Sequence, residues 1–252
     1  MRKIIINADD LGISLNVNSQ IELCIKRGIV TSCTILANAP AFEDGVRIAK
    51  LYPNVSIGVH LNIIEFAPLT NLDVFKEYGI VGEDGSFIEG AIFYVAIDEK
   101  LKQTIYEEWD AQINKIEKSG LQLTHCDSHQ HTHTIPALQQ ILCQVLDEHR
   151  IKRIRRKMMP SIRLMLREKR QPSVKLVKSN YLIQKRRNVI YRRFALFLAK
   201  YNSWKWNRFM SVRYNVTNSF YSFRDFYSNS DIINLGGNSS IIELMCHPGH
   251  EA

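Results

Sequence analysis

The sequence predicts an α/β fold, a distorted or incomplete TIM-like (β/α) barrel in a single domain, on three observations. Short β-branched apolar runs alternate with stretches of helical spacing, the connections are short, and four of the runs end in carboxylates or imidazoles. Strands alternating with helices build parallel sheets joined by crossover helices. An open doubly wound sheet satisfies the first two observations equally well. The third favours a barrel, because the carboxyl ends of parallel strands share one rim where active sites gather.

KIIINADD reads as a buried strand, a β-branched run stopped by polar residues. Asn16 to Arg27 places Val17, Ile21 and Cys24 at helical spacing, with Gly28 as the stop. IVTSCTILAN, 29–38, suits a second strand, and Phe42 to Leu51 a helix ending before Pro53. VSIGVHLN, 55–62, is a third strand, and residues 71–98 are loop-like, with EDGS at 83–86 a turn. Leu101 to Ser119 is an amphipathic helix closed by Gly120. LQLTHCDSH follows as a strand, then a helix from Pro136 to Arg150 and the strand-like IKRIRR. A basic, irregularly helical segment precedes the last apolar strand, SIIELMCH at 240–247.

With 252 residues, 45% hydrophobic and 23% charged, the composition is that of one ordinary globular domain. No apolar run approaches the roughly 20 residues of a membrane span, and MRKIIINADD is too short for a signal-peptide core. The five cysteines are scattered with no CxxC pair, which argues against a disulfide framework or zinc–thiolate knot. A cytoplasmic protein is expected. The net charge of +8 is uneven: residues 150–213 carry 21 Lys/Arg against the single acid Glu168. These bases are interleaved with Tyr181, Tyr191, Phe194, Phe197, Tyr201, Trp204, Trp206 and Phe209. The segment reads as helices with solvated bases and core aromatics, or as a surface peripheral to the inner membrane face, meeting anionic membrane or a lipid-linked glycan. Nucleic acid is disfavoured for want of a recognised motif.

The residues that could carry chemistry fall at strand ends: Asp9 and Asp10, His60, then His125, Asp127 and His129, and finally His247. In THCDSHQHTHTIP, 124–136, the residues His125, Asp127, His129, His131 and His133 are all odd-numbered, so a continuing strand would turn them to one side. A helix would align only His125, His129 and His133. Either way, imidazoles beside carboxylates suit a divalent cation with mixed nitrogen and oxygen ligands. A lone His60 could be a core histidine, an Asp-Asp pair a cap, and a histidine run incidental surface. Together those readings need three independent accidents at equivalent strand ends.

NADDLGIS, GVHLNIIE, THCDSHQHTHTIP and MCHPG stand in the order of the signature blocks of the YdjC-like carbohydrate deacetylase family, which includes chitooligosaccharide and hopanoid-associated deacetylases. The sequence resembles that family over residues 1–150 and 240–249, and only loosely between. The resemblance implies a distorted (β/α) barrel that hydrolyses the N-acetyl group of an amino sugar with one divalent metal ion, Mg2+ or Zn2+. It implies Asp10, His60 and His129 as metal ligands, Asp9 as general base and His247 as the group near the leaving nitrogen. Asp127 is then expected to fix a ligand imidazole's tautomer, His131 and His133 to contact substrate or pack, His125 to support a ligand or contact substrate, and Glu65 to lie on a substrate-facing loop. Arg155 could bind an anionic sugar group, but among five bases in Lys152 to Lys157 it is not singled out. A homodimer is compatible with the resemblance. The sequence ends five residues after His247, where relatives continue with a helical segment, so a truncated form or a different closure of the last wall is expected. The rival functions are a metal-dependent phosphoesterase, for which the extra histidines leave room, and a non-catalytic binder of anionic glycan or RNA through 150–213.

Overall fold

The β-branched run Lys3–Leu11 forms strand β1 and occupies an interior position in the sheet of a computed structural model that describes residues 2–158, 189–228 and 240–250. The other strands are β2 (Ser32–Ile35), β3 (Ser56–Leu61), β4 (Cys126–Ser128), β5 (Ser219–Ser222) and β6 (Ile241–Cys246). Their order is β4-β3-β2-β1-β6-β5, with each neighbouring pair parallel. The helices are α1 (Leu15–Lys26), α2 (Phe42–Leu51), α3 (Leu72–Glu77), α4 (Glu99–Lys118), α5 (Gln139–Glu148), α6 (Val189–Arg213) and α7 (Phe223–Ser228). The sheet curls into an incomplete barrel. Among the described residues its seam, between β4 and β5, is crossed by single bridges, Cys126 to Ile154 and Arg153 to Asn215.

Period-two alternation sorts the strand residues. Ala8, Cys33, Ile35, Ile57, Val59 and Leu61 are buried in the apolar core shared with the helices. Alternating with them in sequence are Asn7, Asp9, Ser32, Thr34 and His60, equally buried but polar, which meet one another or, for Ser32, His125 on the opposite face, inside the barrel. Burying this many polar groups is tolerable only when they satisfy each other. The apolar side is sealed by α4, whose Leu101, Ile105, Trp109, Ile113 and Ile116 form a buried helical stripe. Asp98 caps this helix by accepting the amide of Leu101, and Gly120, left-handed at φ +86, ends it.

Several elements differ from the sequence expectation. Residues 71–98 are not all loop: they hold α3 and a 3-10 turn at Ala91–Phe93, with Phe75 buried edge-on against Phe87. A six-residue helix is too short to display a periodic apolar pattern. The turn at 83–86 is present, closed by Gly82 N–H to Ser86 O at 2.8 Å. LQLTHCDSH contributes only Cys126–Ser128 to a strand, and IKRIRR only its bridges. A run with four bases in six residues offers no continuous apolar face to bury. Of the basic segment, residues 159–188 and the side chains of 189–195 (Tyr181, Tyr191 and Phe194 among them) lie outside the described residues. α6 docks through buried Ser203, Trp206, Asn207 and Met210, while Phe197, Tyr201, Trp204 and Phe209 are exposed. Its Asn207 side chain clasps the backbone of Lys157, accepting the amide at 2.9 Å and donating to the carbonyl at 3.0 Å. Among the described residues, no helix is long and apolar enough to cross a membrane.

Gly58 on β3 is required for packing rather than for backbone freedom. A Cβ there would lie 2.6 Å from the ring of His125. Gly58→Ala should therefore displace His125 and cost about 1–3 kcal/mol of stability, read from the urea midpoint; an unchanged midpoint would contradict the packing.

Candidate metal centre

Asp9 and Asp10 are adjacent in β1, so a regular strand would point them to opposite faces. The strand is not regular here. Its register with β2 shifts between Ala8 and Leu11, and Asp10 adopts φ 67. This bulge turns both carboxylates into the barrel, at the cost of a left-handed conformation that Asp tolerates better than most residues. The turn that follows is fixed by Asn18, which accepts the Gly12 amide at 2.7 Å and donates to Ala41 O and Asp44.

Asp10 Oδ1 lies 3.2 Å from His60 Nε2 and 3.0 Å from His129 Nδ1. One donor atom from each of these three residues falls within 4.8 Å of the others, close enough to share an ion. His60 is oriented from behind: its Nδ1 is 2.5 Å from Asp127 Oδ1, and since a carboxylate only accepts, Nδ1 carries the proton. Thr34 Oγ1 donates to Asp127 Oδ2 at 3.1 Å and completes this support. The arrangement is carboxylate, histidine, then the candidate ion position, as metal-binding imidazoles are commonly held. A second group, Asp9, His60 and Asp127, also meets the distance test. There the cation is already supplied by Arg155, whose Nη1 is 2.6 Å from Asp9 and 2.7 Å from Asp127. The set Asp10, His60 and His129 is therefore the better cation site. Two imidazoles and one carboxylate fit a divalent ion with positions left open for water and substrate.

Arg155 is the centre of the buried charge. It grips both oxygens of Asp9 at 2.6 Å, reaches Glu243 through Nε at 2.6 Å, and lies over the ring of Phe220. At 2% exposure with three carboxylates around it, the guanidinium is closed to an anionic sugar group, which corrects that expectation. The sequence had hidden it in a run that looks solvent-facing. Burial opposes the charge of Asp127, but Arg155 and His60 outweigh it and hold this carboxyl well below the usual range.

The histidine run divides. After Ser128 the chain enters a 3-10 turn, His129–Thr134, with Gln130 and His131 left-handed, so strand alternation stops. His125 stays inside the barrel, bonded to Asn7, Ser32 and Thr124, and burial lowers it to about 4. His131 turns to Phe220, likewise lowered to about 4 by burial. His133 is buried between the Ser128 hydroxyl and Trp206. Glu65 faces His129 Nε2 at 3.7 Å. Its loop is pinned by α4: Gln112 bonds both backbone groups of Asn62, and Glu108 accepts the amides of Leu69 and Thr70. His247 sits at the mouth, 4.0 Å from Asp9 and 3.9 Å from Asp10.

Sequence reasoning passed over His250, whose Nε2 is 3.2 Å from Asp10 Oδ2, and over Asn7, Thr34 and Glu243. The signal for the last three was available: polar residues at even spacing inside apolar runs, Asn7 two positions before Asp9 and Glu243 within IIELMC.

A family model described as YdjC-like protein matches residues 3–252. A carbohydrate deacetylase of Brevibacillus brevis is 35% identical over 150 residues, covering 59% of this chain and 57% of that protein. One of Vibrio cholerae serotype O1 is 36% identical over 149 residues, with 59% and 57% covered. The alignments thus span 57% of the length of these curated relatives. A crystal structure from Enterococcus faecalis V583, of a protein named for cellobiose-phosphate cleavage, superposes with a TM-score of 0.68 at 22% identity, covering 100% of this chain and 82% of that one. That likeness establishes the fold.

Two predictions follow from the charges. Arg155→Met would strand three buried carboxylates and should cost about 3–5 kcal/mol of unfolding free energy, measured by urea denaturation; a loss of a few tenths would refute the hub. The second concerns protons. Burial opposes protonation of His60, yet Asp127 and Asp10 raise it to about 10. Burial likewise opposes protonation of His129, and Asp10 and Glu65 raise it to about 9. Both imidazoles are therefore protonated in the metal-free protein near neutral pH, whereas a metal binds the neutral ring. Cation uptake should release protons, and affinity should climb as pH rises toward 9–10. Calorimetric titration in buffers of different ionisation enthalpy reads this directly; buffer-independent heats would refute it.

Proposed function

The chain belongs to the YdjC-like protein family, and from that membership we propose that it is a metal-dependent carbohydrate deacetylase hydrolysing the N-acetyl group of an amino sugar. The domain would comprise residues 1–252, with 150–213 as a basic insertion. The observation that carries the reading is the convergence of Asp10, His60 and His129 on one point, beside an Asp9 held by Arg155. The names of the curated relatives support the substrate class.

In this reading Asp10, His60 and His129 hold the ion. When bound, the ion supplies Lewis-acid polarisation of the acetamide carbonyl and a lowered pKa for water. Asp9 takes the proton of the attacking water. Its two oxygens are fixed by Arg155, and Asn7 donates to Oδ1 at 2.8 Å, so the base does not swing toward the ion. Burial lowers the pKa of His247 and so favours its neutral form. It can donate to the leaving nitrogen only after receiving a proton, and Asp9, 4.0 Å away, is the adjacent source. Asp127 and Thr34 keep the tautomer of His60, and Glu65, on its pinned loop, borders the open side. Two nitrogens and one oxygen favour a borderline ion such as Zn2+ over Mg2+, which prefers oxygen. An anionic membrane or lipid-linked glycan as partner draws support from α6 alone, where exposed Phe197, Tyr201 and Trp204 lie among Lys200, Lys205 and Arg208.

The test is acetate release from N-acetylated mono- and oligosaccharides, free and phosphorylated, with Zn2+, Mg2+ or chelator. Alanine at Asp10, His60 or His129 should abolish both bound metal and acetate release. Asp9→Asn should keep the metal and lose about 10²–10⁴-fold in kcat. Full activity in all three ligand variants would end the proposal, and phosphate rather than acetate as product would replace it with the phosphoesterase.

A further inference from the structure

The two oxygens of Asp10 face different neighbours. Oδ1 meets His60 Nε2 at 3.2 Å and His129 Nδ1 at 3.0 Å, the imidazoles of the cation site. Oδ2 points the other way, to His250 Nε2 at 3.2 Å, with His247 Nε2 beyond hydrogen-bond reach at 3.9 Å. His250 arrives there by construction. Gly249 is left-handed at φ +84 and packs so tightly on α1 that a Cβ would come within 3.0 Å of Val17 Cα. Its carbonyl accepts from Asn16 Nδ2 at 3.1 Å, which ties the loop to the helix. The rings of His247 and His250 meet edge-on at 5.6 Å.

We infer that His250 is a positioning residue for the cation site: it donates Nε2–H to Asp10 Oδ2 and so presents Oδ1 alone to the ion. This rests on the metal reading above. Asp10 sits at φ 67 in a bulge with Oδ1 already engaged by two imidazoles, and His250 holds the remaining oxygen. His250 is not itself counted among the ligands, since it belongs to neither group of donor atoms close enough to share an ion among the described residues. Partners of this kind, hydrogen-bonded to a ligating carboxylate, typically govern about 10–100-fold in metal affinity.

The experiment is Zn2+ binding by competition with a chromophoric chelator, on wild type, His250→Ala, His250→Gln and Asp10→Ala, with circular dichroism to confirm folding. His250→Ala should weaken Zn2+ by about 10–100-fold, and His250→Gln, whose amide reaches a similar position and donates, should recover most of the loss. Wild-type affinity in His250→Ala overturns the inference, as does failure of the glutamine to rescue. Loss as complete as in Asp10→Ala overturns it in favour of direct ligation. A wild type that takes up no Zn2+ and no Mg2+ overturns the metal reading and this inference together, an outcome distinct from the others.

Discussion

One guanidinium organises the interior of this barrel. Arg155 comes from the crossing segment at the seam and meets carboxylates from β1, β4 and β6 at once. Burying three acids without it would be prohibitive, since each charge would lack both water and a counter-ion. With it, Asp9 is immobilised, Asp127 is ionised and free to orient His60, and the seam has a strong polar contact beside the single bridges of the described residues. The same interaction divides two candidate cation positions, filling one with protein charge and leaving the other for an ion.

The second constraint is the bulge at Asp10. A strand offers its residues to alternate sides, and turning two adjacent carboxylates to the same side requires breaking that rule. The strain is local and is met by rigid surroundings: Asn18 fixes the following turn, and the centre's other walls are bound to α4 through Glu108 and Gln112. Precision at the centre therefore comes from polar side chains on helices that look purely structural in sequence.

Much of this was legible from the residues. α2 could be bounded because its apolar positions repeat and a proline follows, and β1, β3 and β6 because each is a β-branched or apolar run ending in a polar residue. Asp10, His60 and His129 could be singled out by their place at strand ends, and the structure brings them together. What was not legible depends on long-range geometry. Arg155 and its neighbours Arg153 and Arg156 are indistinguishable by composition, and only the seam decides which turns inward. The fate of the histidine run hinged on two left-handed residues, Gln130 and His131, neither of which advertises that conformation. His250 follows a Pro-Gly turn whose direction the sequence does not give.

The clasp between Asn207 and Lys157 has a consequence for how such a chain can change. It joins α6 to the segment that carries Arg155 through two hydrogen bonds from one side chain to the Lys157 backbone. A change at Asn207 would therefore act on the interior through Lys157, two positions along the chain from Arg155.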